Sequence, residues 1–354
     1  MNRAPIGYDS VEFPPDCSWI KIIDQTQLPT REVFLYIYTV EELIDSIKKL
    51  KVRGAPAIGV ITAAGIAMAF RSFTGKSYSQ ALEFLIQTIK LIVNARPTAV
   101  NAKWASNRML KLFQNHFSDN KFNFDLCAIL LAKEALIIKS ADIKMSLSIA
   151  QNALPLLKKG FRLMTYCNAG HLATARFGTA LSPIYLGNEK GYAFDIFVPE
   201  TRPLLQGSRL TAFELSKSGA NVTLVCDNMS SYLMKLGKID AILVGCDRIA
   251  KNGDVANKIG TSALAVQAKH YNIPFYVLGP ESTIDPNTLS GNDIIIEERD
   301  GVEITDLWYK NKMAPNNIDI FNPSFDITDS ELITAIITNK KIYNFPYDFS
   351  IEDN

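Results

Sequence analysis

Histidine is the scarcest reactive residue in this chain: His116, His171 and His270 are the three it has among 354 residues. They are scattered and show no ligand spacing, which argues against a Ser-His-Asp hydrolase and against an imidazole metal centre. The five cysteines, Cys17, Cys127, Cys167, Cys226 and Cys246, are odd in number, widely spaced and form no CxxC or CxxxC pair. A zinc motif is thereby disfavoured, and free thiols in a reducing cytosol fit best. Long apolar runs are also missing: the longest, Ile58 to Phe70, is shorter than the roughly 20 residues a bilayer requires. The opening Met1-Asn2-Arg3-Ala4-Pro5-Ile6-Gly7 has no apolar signal core. A soluble, cytoplasmic protein without membrane contact is expected. Excess charge of one sign is absent too, with 37 Lys+Arg against 36 Asp+Glu and a net charge of +1. No basic cluster is interleaved with aromatics, so nucleic acid is not an expected partner.

What is present is apolar bulk. At 47% of the composition it can fill sizeable cores, and the length suggests two domains. After two short strands (18–23 and 32–38), apolar residues recur every three or four positions over 57–70, 80–94, 100–117 and 125–150, which predicts a mainly helical domain over residues 1–150. Pro155 and Gly160 punctuate the chain before the pattern changes. From 151 to 354, short β-branched and aromatic runs (162–166, 193–198, 222–226, 241–245, 275–278, 294–297) alternate with predicted helices (171–185, 207–218, 230–236, 257–271). Such alternation predicts an α/β fold, here a Rossmann-like domain with a parallel sheet flanked by helices. Its first strand is followed by Cys167-Asn168-Ala169-Gly170-His171 in place of a GxGxxG turn, so a dinucleotide site has no support.

Six segments carry chemistry. Cys167 leaves a predicted strand at the start of a helix, where a thiol pKa can be lowered, although free cysteines are often just small buried hydrophobes. Asp247 follows the apolar run 239–244 and is expected to be partly desolvated, in the manner of a general acid; an ion pair with Arg248 or a helix cap is the plainer alternative. Arg53-Gly54-Ala55-Pro56-Ala57 opens a helix whose amides, with Arg53, suit an anion such as phosphate; read alone it is equally a helix start with a surface arginine. Arg96, before Pro97, offers a second cation, and taken singly is more commonly a solvated one. Glu200 to Arg209 places Gln206 beside Gly207 at a helix start, suited to phosphate or sugar hydroxyls, with a local Glu200–Arg202 pair as the alternative. Lys251 to Thr261 turns at Asn252-Gly253 and is expected to enter a helix carrying Asn257 and Lys258, which can hold sugar hydroxyls and balance the carboxylate.

Taken in order, these segments closely resemble the 5-methylthioribose-1-phosphate isomerase family, from Ile22-Ile23-Asp24-Gln25-Thr26 to Asn322-Pro323-Ser324-Phe325-Asp326. The resemblance implies an aldose-ketose isomerase that converts 5-methylthioribose 1-phosphate to 5-methylthioribulose 1-phosphate in methionine salvage. It implies Cys167 and Asp247 as the catalytic pair, and Arg53, Gly54, Ala55, Arg96, Gln206, Asn257 and Lys258 as substrate-binding residues. It further implies a homodimer that takes a sugar phosphate and needs no metal or nucleotide cofactor. Two departures stand out: Tyr166 where the family commonly has histidine, and Cys246 where a small residue is usual.

The phosphate on C1 locks the anomeric centre, so such an enzyme must help to open the ring. Asp247 as acid to the ring oxygen and Cys167 beside the C1–C2 bond suit that task, with hydrogen moving either as a proton through an enediol-like intermediate or as a hydride in a dry pocket. Isomerases of ribose 1,5-bisphosphate or 5-deoxyribose 1-phosphate are the near alternatives. The regulatory subunits of the translation-initiation nucleotide exchange factor are the distant one; they share part of the Asn257-Lys258-Ile259-Gly260-Thr261 segment but lack the Cys and Asp pair that this chain keeps.

Overall fold

The computed structural model describes residues 3–96 and 100–349. They form two compact units: one runs to Met145 and includes His171–Gly178, and the other takes Ser146–Gly170 and the chain from Thr179 onward.

The first unit opens with an antiparallel sheet, β1 (Val11–Glu12), β2 (Ile20–Ile23) and β3 (Phe34–Ile37). Helices α1 (Val40–Lys48), α2 (Ala55–Phe70), α3 (Tyr78–Ala95), α4 (Val100–His116) and α5 (Phe124–Ala153) follow, the last continuing into the second unit. Thr39 and Glu42 close a capping box that starts α1. Because α2 carries no charged residue, it can be buried all round, and 14 of its 16 residues are. Helix α3 buries only the stripe Ala81, Leu85, Thr88 and Ile92, as its spacing predicts.

In the second unit β4 (Arg162–Thr165), α6 (Ser182–Glu189), β5 (Asp195–Pro199), α7 (Ala212–Lys217), β6 (Asn221–Val225), α8 (Ser230–Lys235) and β7 (Ala241–Val244) alternate. There follow β8 (Arg248–Ala250), β9 (Val255–Lys258), α9 (Thr261–His270), β10 (Phe275–Leu278), β11 (Ile284–Asp285), α10 (Val302–Thr305), β12 (Phe325–Thr328), β13 (Ala335–Ile337) and β14 (Ile342–Asn344). The fold is mixed α/β, built on a seven-stranded sheet ordered β14-β13-β10-β7-β4-β5-β6, parallel except for β14. Strands β7 and β10 are buried at every residue, as central parallel strands covered on both faces must be. A second, four-stranded sheet is ordered β11-β8-β9-β12.

Three sequence expectations are corrected here. Residues 294–297 form no strand: Ile295 is 92% exposed, and the sheet takes β13 instead. The helix expected over 171–185 is a short 3-10 turn at His171–Ala173 followed by α6. Between them the backbone bonds elsewhere, with Ala175 N–H donating to Asp142 Oδ2 at 2.7 Å and Ser10 N–H to the Ala175 carbonyl at 3.1 Å, and these groups are then lost to a helical ladder. Finally, the helix expected from 257 begins at Thr261, because Asn252-Gly253 closes a β8–β9 hairpin and places Asn257 and Lys258 on a strand.

Candidate active site

The chain winds outward from β4 through β5 to β6 and then returns to the other side of β4 as β7. In open parallel sheets, ligands bind beyond the carboxyl ends of the strands at such a reversal. Cys167 lies two residues past Thr165, the end of β4, and Asp247 lies beyond β7, whose Leu243 is the register partner of Thr165. Thiol and carboxylate therefore leave neighbouring strands, about 4.8 Å apart, at the same edge.

Cys167 is half-buried and its backbone is left-handed, with φ of 59°. Its N–H donates to Thr201 Oγ1 at 2.9 Å, and its carbonyl accepts from the Thr211 hydroxyl at 2.5 Å. Thr201 and Leu205, on the loop after β5, are also left-handed, with φ of 65° and 55°. Non-glycine residues in that region cost about 1–3 kcal/mol each and concentrate at functional sites.

Asp247 is exposed, where partial burial was expected from the sequence. The inward position falls to its neighbour: a Cβ placed on Gly279 would come within 2.2 Å of Cys246 Sγ. Desolvation and the adjacent Asp247 charge push the Cys246 thiol well up, which keeps it protonated. Asp247 is anchored through its backbone, whose N–H donates to the Ala256 carbonyl at 2.9 Å, and Arg248 Nη1 lies 3.7 Å from Asp285 Oδ2. Asn257 follows Ala256 directly on β9. It is buried and donates from Nδ2 to Thr261 Oγ1 at 3.1 Å. Lys258 is also buried, donates to the Ser324 carbonyl at 2.8 Å and lies 4.7 Å from the centre of the Phe325 ring.

Gln206 ends the loop after β5. It is 5% exposed, and among the described residues its Oε1 has no hydrogen-bond partner. A buried acceptor left open is costly unless a ligand fills it, so Gln206 is the side chain here that most directly asks for one. Arg202, the alternative partner for Glu200, donates instead to the Ile304 carbonyl at 2.8 Å and the Pro203 carbonyl at 3.1 Å.

The remaining expected residues belong to the first unit. Gly54 caps α2 with φ of 96°, and an added Cβ would meet the Ala173 backbone at 2.5 Å, so the close approach that requires glycine is one of protein backbone. Ala55 is the first residue of α2. Arg53 Nε donates to Gln25 Oε1 at 3.1 Å, and Gln25 Nε2 donates to the Leu172 carbonyl at 2.8 Å. Arg96 caps α3 with φ of −146° and ψ of 87°, short of the fully extended conformation expected before Pro97, which itself lies outside the described residues.

Sequence reading missed Thr201, Thr211 and Asp227. Asp227 accepts the N–H groups of Thr201 and Arg202 from one oxygen each, both at 2.7 Å. It also faces the Tyr166 hydroxyl, which burial first, then the charges of Asp227, Cys167 and Asp326, push well above its ordinary value. No spacing rule links residues that meet only through three neighbouring strand ends.

A family model described as the initiation factor 2 subunit family matches residues 51–344. A methylthioribose-1-phosphate isomerase of Parabacteroides distasonis is 50% identical over 94% of this chain and 98% of its own length. A 5-deoxyribose 1-phosphate isomerase of Petrotoga mobilis is 49% identical over 94% of each chain. Among solved structures, 5-methylthioribose 1-phosphate isomerase from Pyrococcus horikoshii is similar at 37% identity and a TM-score of 0.89, covering 96% of this chain and 93% of that one. A protein described as translation initiation factor eIF-2B, subunit delta, from A. fulgidus is 38% identical with a TM-score of 0.86, covering 96% and 97%.

Proposed function

The chain belongs to the initiation factor 2 subunit family and, within it, to the methylthioribose-1-phosphate isomerases, and on that premise we propose that Cys167 and Asp247 carry its chemistry. It is an aldose-ketose isomerase of methionine salvage, taking 5-methylthioribose 1-phosphate to 5-methylthioribulose 1-phosphate. The observation that carries the site assignment is the pairing of thiol and carboxylate beyond adjacent strands at the reversal of the sheet.

Asp247, exposed beyond β7, donates a proton to the ring oxygen as the bond from that oxygen to C1 breaks, and takes back the proton that the C2 hydroxyl gives up as C2 becomes the ketone. Cys167 attends the hydrogen that leaves C2 and arrives at C1. Because C1 is reduced as C2 is oxidised within one molecule, the reaction needs no external oxidant or reductant. Gln206 accepts from a sugar hydroxyl, which fills its open Oε1, and Asn257 and Lys258 hold the oxygens nearest Asp247. Arg53, with the amides of Gly54 and Ala55, and Arg96 take the phosphate, a role for which helix N-termini and guanidinium groups are suited.

The second unit, with its outward and returning strand order, is read as Rossmann-like, with catalysis assigned to residues 151–354 and the helical domain to 1–150. Homodimeric assembly in the cytoplasm, without nucleic acid, completes the proposal.

Turnover of 5-methylthioribose 1-phosphate followed by NMR tests the pair. Cys167→Ser and Asp247→Asn are each expected to lower kcat by at least about 100-fold, the low end for losing a general acid or base. A variant that keeps wild-type turnover removes its residue from the assignment.

A further inference from the structure

The backbone around Cys167 is held from both sides in a conformation that a cysteine would not adopt unaided. Its φ of 59° is matched by 65° at Thr201, and the two left-handed residues are joined by the Cys167 N–H to Thr201 Oγ1 bond of 2.9 Å. Thr201 is fully buried, its hydroxyl donating to the Pro199 carbonyl at 3.2 Å. Its own N–H and that of Arg202 are gripped by the two oxygens of Asp227, each at 2.7 Å. The links run across three adjacent parallel strands: Asp227 lies beyond the end of β6, Thr201 beyond β5 and Cys167 beyond β4.

We propose that Thr201, fixed by Asp227, is a positioning residue for Cys167: it holds the cysteine in its left-handed conformation and so sets the direction in which the thiol faces the substrate. Thr201 touches no reacting atom in this scheme. Without the hydroxyl, the Cys167 N–H loses this acceptor and the strained conformation loses its restraint on that side, with the Thr211 bond to the carbonyl remaining, so the thiol shifts away from the C1–C2 bond. Substrate affinity, assigned to other side chains, is left intact. The inference rests on Cys167 acting in the reaction as proposed above.

Steady-state kinetics on 5-methylthioribose 1-phosphate separate these effects. Thr201→Val, close in shape but without the hydroxyl, is expected to lower kcat about tenfold or more with KM changed less than twofold. Thr201→Ser restores the acceptor and is expected to return kcat to within about threefold of wild type. The rate of Cys167 alkylation by iodoacetamide, read by peptide mass mapping, is expected to change in the valine variant and to recover in the serine variant.

Equal kcat in Thr201→Val and wild type overturns the proposal, as does a loss confined to KM or a serine variant as impaired as the valine one. Should Thr201→Val not fold, Asp227→Asn, which keeps one acceptor oxygen for the two amides, is expected to lower kcat severalfold at unchanged KM, and wild-type kcat there overturns the proposal equally. Cys167→Ser, assayed alongside, keeps the two ideas apart. If it stays active, the reading of Cys167 fails; if it is inert while Thr201→Val is unimpaired, the positioning role alone fails.

Discussion

Gly260 illustrates how much of the site is decided one residue at a time. Its φ is 99°, a conformation that disfavours side chains, and an added Cβ would stand 2.2 Å from the Tyr166 hydroxyl oxygen. Gly260→Ala is therefore expected to destabilise the protein by about 1–3 kcal/mol through backbone strain, with further cost from displacing Tyr166; urea denaturation measures it, and an unchanged midpoint would contradict the account. At this scale the sequence was partly legible. Cys167 and Gln206 could be picked out because a strand end and a glycine turn flank them. The burial expected for Asp247 was misjudged, because an apolar run says nothing about which of its last residues turns inward, and Cys246 took that position. Thr201 and Asp227 were illegible for another reason: their roles are backbone hydrogen bonds between loops distant in sequence.

The helices of the first unit were readable because a three-to-four residue period survives any tertiary context, as in the Ala81, Leu85, Thr88 and Ile92 stripe of α3. Short elements were not. The four residues Val255 to Lys258, two apolar and two polar, suit a strand or a helix start, and pairing with β8 and β12 decides for a strand. The 171–178 segment was settled by its tertiary partners, among them Asp142 on α5. Burial pushes the Asp142 carboxyl up to about 7, against the lowering effect of the Ala175 N–H. Since its folded value lies above an ordinary one near 4, the native state holds this proton more tightly than the unfolded state. The contribution of Asp142 to stability thus falls as pH rises from about 4 to about 7. Asp142→Asn keeps an acceptor and cannot ionise, so its melting temperature relative to wild type should climb between pH 5 and pH 8, and parallel melting curves across that range would refute the claim.

At the scale of the whole molecule, the same fold and nearly the same degree of identity accompany two substrate names, one for the methylthio sugar at 50% and one for the 5-deoxy sugar at 49%. The two substrates share the phosphate, the hydroxyls and the C1–C2 bond, and differ only in an apolar group at C5. Every residue assigned here to phosphate, hydroxyl or proton serves both, which is why the motifs identify the reaction more firmly than the distal substituent. An apolar pocket distinguishes ligands differing by one small apolar group by only about 10–200-fold. Competition assays should accordingly show 5-methylthioribose 1-phosphate preferred over 5-deoxyribose 1-phosphate in kcat/KM by a factor within that range. Ribose 1,5-bisphosphate should fare far worse, because a site that accepts a methylthio group at C5 would make a second phosphate shed its water without a partner charge. Faster turnover of the bisphosphate than of the methylthio sugar would show that the distal pocket carries cations, and would overturn the substrate while leaving the isomerisation in place.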